Sequence, residues 1–281
     1  MNRTQINIFT FLIFILVFSN LNAQDFLKKQ FDYAKKLYNN EQYFDSITEF
    51  KRLLFFDSKG EYKFEANNYI GLSYKEGAKF SDAILYFTLA EMNATTNDEL
   101  FDSKIEIIRS NILRRTTSHA IELLNSVESD KRFSNRAKEI NYWKGWAYIF
   151  SDNWEEASNY FAQTDSNTVL KDFCKKVAKK KYSTSLAKLL SLFIPGSGQM
   201  YTGHFLSGLL SLGWNVLWGY VTINAFVTDR VFDGLIVGNF LWLRFYNGNL
   251  QNATNFAEEE NLKIANNALN YLQFNYHGTK P

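Results

Sequence analysis

Gly71-Leu72-Ser73-Tyr74-Lys75-Glu76-Gly77-Ala78-Lys79-Phe80-Ser81-Asp82-Ala83-Ile84-Leu85-Tyr86-Phe87-Thr88-Leu89-Ala90 is one copy of a pattern that runs through the first half of the chain. Its Gly71 has counterparts in Ala34, Ile108 and Gly145, at a constant step of 37 residues. In the same step Phe80 answers to Tyr43, Thr117 and Trp154, and Ala83 to Ser46, Ala120 and Ala157. Phe87 matches Phe50, Leu124 and Phe161, while Ala90 matches Leu53, Val127 and Thr164. A fixed period of this length marks stacked supersecondary units, none of which can bury its apolar side alone.

Composition agrees with a helical reading. The chain has 281 residues, 46% hydrophobic and 17% aromatic, which is enough to bury a core. Only Pro195 and Pro281 interrupt it, so helix breakers are nearly absent, which favours a largely helical chain over an all-β one. Cys174 is the one cysteine, which rules out an internal disulfide framework or a cysteine-based zinc site. The net charge of +2 gives no global argument for nucleic acid as a partner. The fold expected is all-α.

The repeated positions resemble the tetratricopeptide repeat (TPR), a two-helix unit with a small residue and Tyr on its first helix and Ala, Phe and Ala on its second. The second copy carries Gly71, Tyr74, Phe80, Ala83, Phe87 and Ala90, and the fourth Gly145, Tyr148, Trp154, Ala157 and Phe161. The third is degenerate, with Ile108, Asn111 and Thr117 in place of the small residue, the Tyr and the aromatic. Each copy exceeds the family's usual 34 residues by three. The usual closing Pro is absent, with Ser58 and Thr95 near its place. The resemblance implies an α-solenoid of about four helix pairs over residues 24–167. On this reading small side chains let the two helices of a pair approach, while the aromatic fills the space between neighbouring repeats.

The family's concave groove is lined by its first helices. Carried over position by position, it would comprise Phe31, Lys35, Tyr38 and Asn39, then Asn68, Leu72 and Lys75, then Arg109, then Tyr142, Trp146 and Ile149. This mixed lining suits an extended peptide or a partner helix. Tyr142 and Trp146 have a second reading as core aromatics.

Three other segments frame the repeat. Residues 1–23, with Arg3, an apolar run from Ile6 to Phe18 and Asn22-Ala23, have the layout of a secretory signal, either cleaved before Gln24 or kept as an anchor. Residues 168–185 are expected as a capping helix. Its Lys175, Lys176, Lys179, Lys180 and Lys181 form either a solvated face or a contact for anionic lipid headgroups.

Residues 186–247 read as a membrane domain: a short apolar run ending at Pro195, a span at about 205–227 and a weaker one at about 231–246 containing Asp233 and Arg244. Gly208, Gly213, Gly219, Gly234 and Gly238 would let the spans pack as a hairpin. Residues 248–281 read as an amphipathic helix. Pro195, Gly196, Gly198, Gln199, Tyr201 and Gly203, followed by Gly208, resemble the opening PGxGQxYxG motif of TM2-like two-span membrane domains. These glycines lack the Lys-Ser/Thr of a P-loop and the spacing of a dinucleotide fingerprint.

No nucleophile with its base, paired carboxylates or metal-ligand spacing emerges, and His119, His204 and His277 fit no ligand pattern. No catalytic residue, metal or cofactor is therefore expected. The expected protein is an exported scaffold in the inner membrane, with its repeats in the periplasm and a protein or peptide partner as well as membrane lipid as contacts. Two alternatives accompany this: outer-membrane association, and an accessory subunit of a transport or envelope-assembly complex in which the membrane hairpin is the functional part.

Overall fold

A computed structural model describes residues 25–164 and 168–281; the expected signal segment lies outside the described residues. Among the described residues the chain is helix and turn with no strand, so the all-α class holds. Two compact units emerge: one through Lys171, which also takes in Lys280–Pro281, and one from Asp172 to Thr279.

The first unit contains α1 (residues 25–39), α2 (Tyr43–Phe56), α3 (Lys63–Glu76), α4 (Phe80–Met92), α5 (Asn97–Leu113) and α6 (Thr117–Ser129). A 3-10 segment, Lys131–Arg136, leads into α7 (Ala137–Phe150) and α8 (Trp154–Phe161). From α2 to α8 each helix packs against the next, and α5 also touches α7. Leu27 and Ala34 of α1 share a cluster with Phe50, Leu53, Ala66 and Ile70.

The period seen in the side chains is also a period of the backbone. Glu41, Ala78, Arg115 and Asp152, again 37 residues apart, all adopt left-handed φ, between 56° and 66°. Each follows the first helix of a pair and closes it in the same way. Lys79 N–H reaches Tyr74 C=O and Ala78 N–H reaches Lys75 C=O, and the same two bonds recur at Gln42 and Glu41, at Thr116 and Arg115, and at Asn153 and Asp152. This is the helix end in which a left-handed residue lets two amides fold back onto the last turn's carbonyls. Four different residue types serve it, none of them glycine.

Ser46, Ala83, Ala120 and Ala157 are all fully buried, as are Phe50, Phe87 and Leu124, with Phe161 almost so. A Cβ on Gly71 would come within 2.7 Å of the Phe87 ring, and one on Gly145 within 2.6 Å of Phe161. The aromatic thus fills a slot inside its own pair, a role that the expectation of filling the space between repeats did not include. It does both at Phe50, which shares a cluster with Ala34 and stacks on Tyr69 of α3 at 5.2 Å. In the degenerate third copy the buried Asn111 donates to the Ile107 carbonyl and accepts from the Thr116 hydroxyl, so a polar side chain is satisfied at that position. Its helix α5 starts from a reciprocal cap, with Thr96 Oγ1 accepting from Glu99 N–H and Glu99 reaching back to the Thr96 amide.

α9 (Thr168–Lys180) crosses the division between the units. The second unit continues with α10 (Thr184–Phe193), α11 (Ser197–Tyr201), α12 (Phe205–Val227) and α13 (Val231–Val237). A π segment, Gly238–Trp242, then opens into α14 (Leu243–Asn275). Helix runs without interruption from 231 to 275, across the expected boundary at 247/248 between the second span and the amphipathic helix. Gly248 is accommodated in mid-helix beside Asn249, whose side chain is committed to packing contacts described below. α12 is the helix, among the described residues, that is long and apolar enough to cross a membrane by length and composition.

Close approach is achieved at most of the glycines named for it. A Cβ would meet Trp242 at 3.3 Å from Gly219, Phe226 at 3.0 Å from Gly234 and Thr222 at 3.1 Å from Gly238. Gly213 is the exception, with open space around it.

Candidate functional site

α3, α5 and α7 bring together a polar seam in the first unit. Lys75 Nζ lies 2.6 Å from Glu106 Oε2, both side chains nearly enclosed. Arg109 pairs with the other Glu106 oxygen and lays its guanidinium 4.8 Å from the centre of the Trp143 ring. Its second nitrogen donates to the main-chain carbonyl of Lys280 at 2.7 Å. A carboxylate and an aromatic face thereby fix an arginine that also donates through one nitrogen to a peptide carbonyl, while its buried Nε has no hydrogen-bond partner among the described residues.

Burial, the largest influence, pushes the Lys75 ammonium below its ordinary value, and Glu106 opposes that shift. Tyr38 is pushed up to about 12, first by burial and then by the negative field of Glu76, with smaller contributions from Tyr43 and Glu106.

The expected lining divides into an open and an enclosed part. Lys35 and Asn39 are exposed, and Lys35 Nζ sits over Phe31 and Tyr69 at 6.0 and 5.5 Å. Phe31, Tyr38, Asn68, Leu72 and Arg109 are half-buried, and Phe31 and Tyr38 are edge-on to Tyr69. Trp146 and Ile149 are corrected: at 2% and 1% exposure they are core residues, Trp146 meeting Phe150 and Phe161. Tyr142 is half-buried against Trp143 and Phe161, so the core reading serves it better too. Lys75 is also enclosed, and reaches the seam through Glu106. Glu106 and Trp143 were missed by the sequence reading. They occupy one repeat position, where the other copies carry Asp32 and Tyr69, so the residue type changes from copy to copy and a search for recurring residues passes over it.

In the second unit the PGxGQxYxG segment folds around one side chain of α14. Asn249, buried, accepts at Oδ1 from Gly196 N–H at 2.7 Å, from Gln199 Nε2 at 3.1 Å and from Ser211 Oγ at 3.0 Å, and its Nδ2 donates to Ser191 C=O. Ser191 Oγ donates to Gln199 Oε1 and receives Gly198 N–H, so both buried polar side chains find partners. Pro195 stands just past the end of α10. Gly196 has φ of 90°, and a Cβ there would overlap the Gly208 carbonyl at 2.0 Å; at Gly198 it would overlap the Ala187 carbonyl at 2.1 Å. Tyr201 packs edge-on to Tyr182, its hydroxyl receiving Ser183 N–H, while Gly203 supplies a left-handed turn into α12. These residues form a structural lock whose partner on α14 the motif did not announce.

Among the described residues no group of three or more His, Cys, Asp or Glu side chains is arranged to hold a metal. His119 faces Glu122, and His204 stacks on Phe256 at 4.0 Å. Comparison of the chain with protein-family models, with curated proteins and with solved structures finds no match in any of the three.

Proposed function

We propose that the chain is a membrane-tethered scaffold without catalytic activity, whose TPR-like solenoid takes up an extended peptide segment of a protein partner. The observation that carries this reading is the Arg109 guanidinium, held by Glu106 and Trp143 and already donating to a main-chain carbonyl. The four identical helix closures support stacked, equivalent pairs.

The reading of α12 as a membrane span rests on its inverted surface. Its buried side consists of Gly208, Asn215, Gly219, Thr222 and Ala225, whereas Leu206, Leu209, Val216, Tyr220 and Ile223 are exposed. A helix in water buries its large apolar residues. One in lipid turns them outward and packs through small ones. α13 and the start of α14 would return as the second arm of a TM2-like hairpin, and export would place the repeats in the periplasm.

The test is a photo-crosslinking amino acid placed at Asn68 in cells. The scaffold reading expects a crosslinked polypeptide that is lost when Arg109→Gln is added. A crosslink indifferent to Arg109 would contradict it.

The alternative, an accessory membrane subunit, draws on the tight Gly234–Phe226 and Gly238–Thr222 contacts. It expects the partner to be lost with Gly234→Leu and kept with Arg109→Gln.

A further inference from the structure

Beside α12 the second unit contains a pocket of about 510 Å³, lined by Leu206, Ser207, Leu210 and Trp214 on one side and by Arg244 and Asn252 on the other, with Asn215 and Phe245 completing its walls. Arg244 is exposed and, among the described residues, has no ion-pair or hydrogen-bond partner. The residues around it are apolar and also exposed: Leu206, Leu210, Trp214, Leu243 and Phe245. A guanidinium set in such a belt is unfavourable in hydrocarbon unless an anion accompanies it, and the pocket offers no carboxylate.

Three further observations point to a ligand. Asn215 is 4% exposed, and its Oδ1 has no donor although its Nδ2 is bonded to Ser211 C=O. Trp214, Trp218 and Phe245 stack face to face, with the Trp214 and Phe245 ring centres 5.6 Å apart and their planes within 8° of parallel. The π segment Gly238–Trp242 ends just before Arg244. One residue inserted into a helix rotates everything after it by about 100°, and such wide turns concentrate at functional sites.

We infer that this pocket binds the phosphodiester headgroup of an anionic membrane lipid, with Arg244 on the phosphate and the acyl chain along Leu206 and Leu210. A hydroxyl-bearing headgroup such as phosphatidylglycerol supplies the donor that Asn215 lacks and adds no cation to repel Arg244. A choline headgroup lacks the donor and adds a cation. Guanidinium and phosphate match as a bidentate, charge-assisted pair. The inference rests on the membrane reading of α12 given above.

The test uses the full chain purified in detergent, with water-soluble short-chain phosphatidylglycerol as the probe and tryptophan fluorescence as the readout. Short-chain phosphatidylcholine and inorganic phosphate are the comparison arms. Phosphatidylglycerol is expected to bind at least about tenfold more tightly than to Arg244→Gln, the loss of one charge-assisted pair. Arg244→Lys should lie between, and phosphatidylcholine and inorganic phosphate should compete poorly. Far-UV circular dichroism confirms that the variants fold, and Asn252→Ala supplies a second pocket variant expected to weaken binding. Equal affinity in Arg244→Gln, or displacement of the lipid by inorganic phosphate alone, overturns the inference. Membrane fractionation of the same chain separates the two readings: a chain that binds the lipid yet fails to sediment with membranes disproves the span and leaves the pocket standing.

Discussion

Gly145 lies so close to Phe161 that a Cβ on it would sit 2.6 Å from the ring, and Gly71 stands in the same relation to Phe87. The pairing makes the small residue of the first helix and the aromatic of the second a single packing unit. Gly145→Ala should destabilise the protein by about 1–2 kcal/mol, because overpacking of about 1–3 kcal/mol outweighs the helical preference for Ala. Chemical denaturation checks it, and adding Phe161→Leu should restore part of the loss. Stability unchanged by Gly145→Ala would show that the slot is loose.

Ala78 holds a left-handed φ of 56°. That conformation costs a residue with a Cβ about 1–2 kcal/mol, whereas glycine forfeits about 0.5–1 kcal/mol through its freer unfolded state. Ala78→Gly should therefore stabilise the protein by about 0.5 kcal/mol, read as a rise in the denaturation midpoint. Ala78→Val should lower it.

Lys75 and Glu106 form an enclosed ion pair. Glu106→Gln leaves the ammonium without its counter-charge and should cost about 3 kcal/mol at neutral pH. The pH dependence has a definite sign. The folded pKa of Lys75 lies below its unfolded value because burial disfavours the charge. Stability linked to this group is therefore full above the unfolded pKa and is lost as pH falls through the folded one. Removing Glu106 lowers the folded pKa further. The deficit of the variant against the parent should then shrink as pH is raised from neutrality toward the ordinary lysine range, in denaturation midpoints measured across that interval.

Cys174 is buried, and burial pushes its thiol up to about 12. The thiolate is the reactive form. A disulfide reagent at mildly alkaline pH should label it only as fast as the protein opens, with full reaction in denaturant. Rapid labelling of the folded chain would place Cys174 elsewhere.

The Asn249 side chain of α14 makes four hydrogen bonds, two to Gly196 and Gln199 of the Pro195–Gly203 segment and one each to Ser191 of α10 and Ser211 of α12. Asn249→Leu strands buried donors at Gly196 and Gln199, each of which costs about 1–3 kcal/mol to leave unmade. Thermal unfolding in detergent should start markedly lower, and limited proteolysis should open the chain near Gly203. A variant with the parent's proteolysis pattern would remove the lock from the account.

The sequence made the helical pairs legible wherever one residue type had to recur. Ala83, Ala120 and Ala157 are small because every pair needs the same close approach, and such a requirement repeats in the letters as well as in space. The helix closures repeat in space only. Glu41, Ala78, Arg115 and Asp152 share a backbone angle and no chemistry, so nothing in their side chains advertised it. Glu106 and Trp143 stand at one repeat position whose residue type alternates, with Asp32 and Tyr69 in the other copies, and Asn249 lies 50 residues from Gln199, a separation that no local pattern bridges. The run from Val231 to Asn275 divides in the sequence at the change from apolar to amphipathic composition, which carries no signal of whether the helix continues across it. Tertiary hydrogen bonds to Asn249 hold that boundary on the helix.

The central claim is that Arg109, fixed by Glu106 and Trp143, grips the backbone of an extended peptide, and affinity for peptides tests it most directly. Full-length protein in detergent would be measured against an immobilised array of degenerate short peptides, alongside Arg109→Gln. The account predicts peptide binding that weakens by about tenfold in the variant, as expected for one charge-assisted hydrogen bond. Equal binding by both proteins would contradict it.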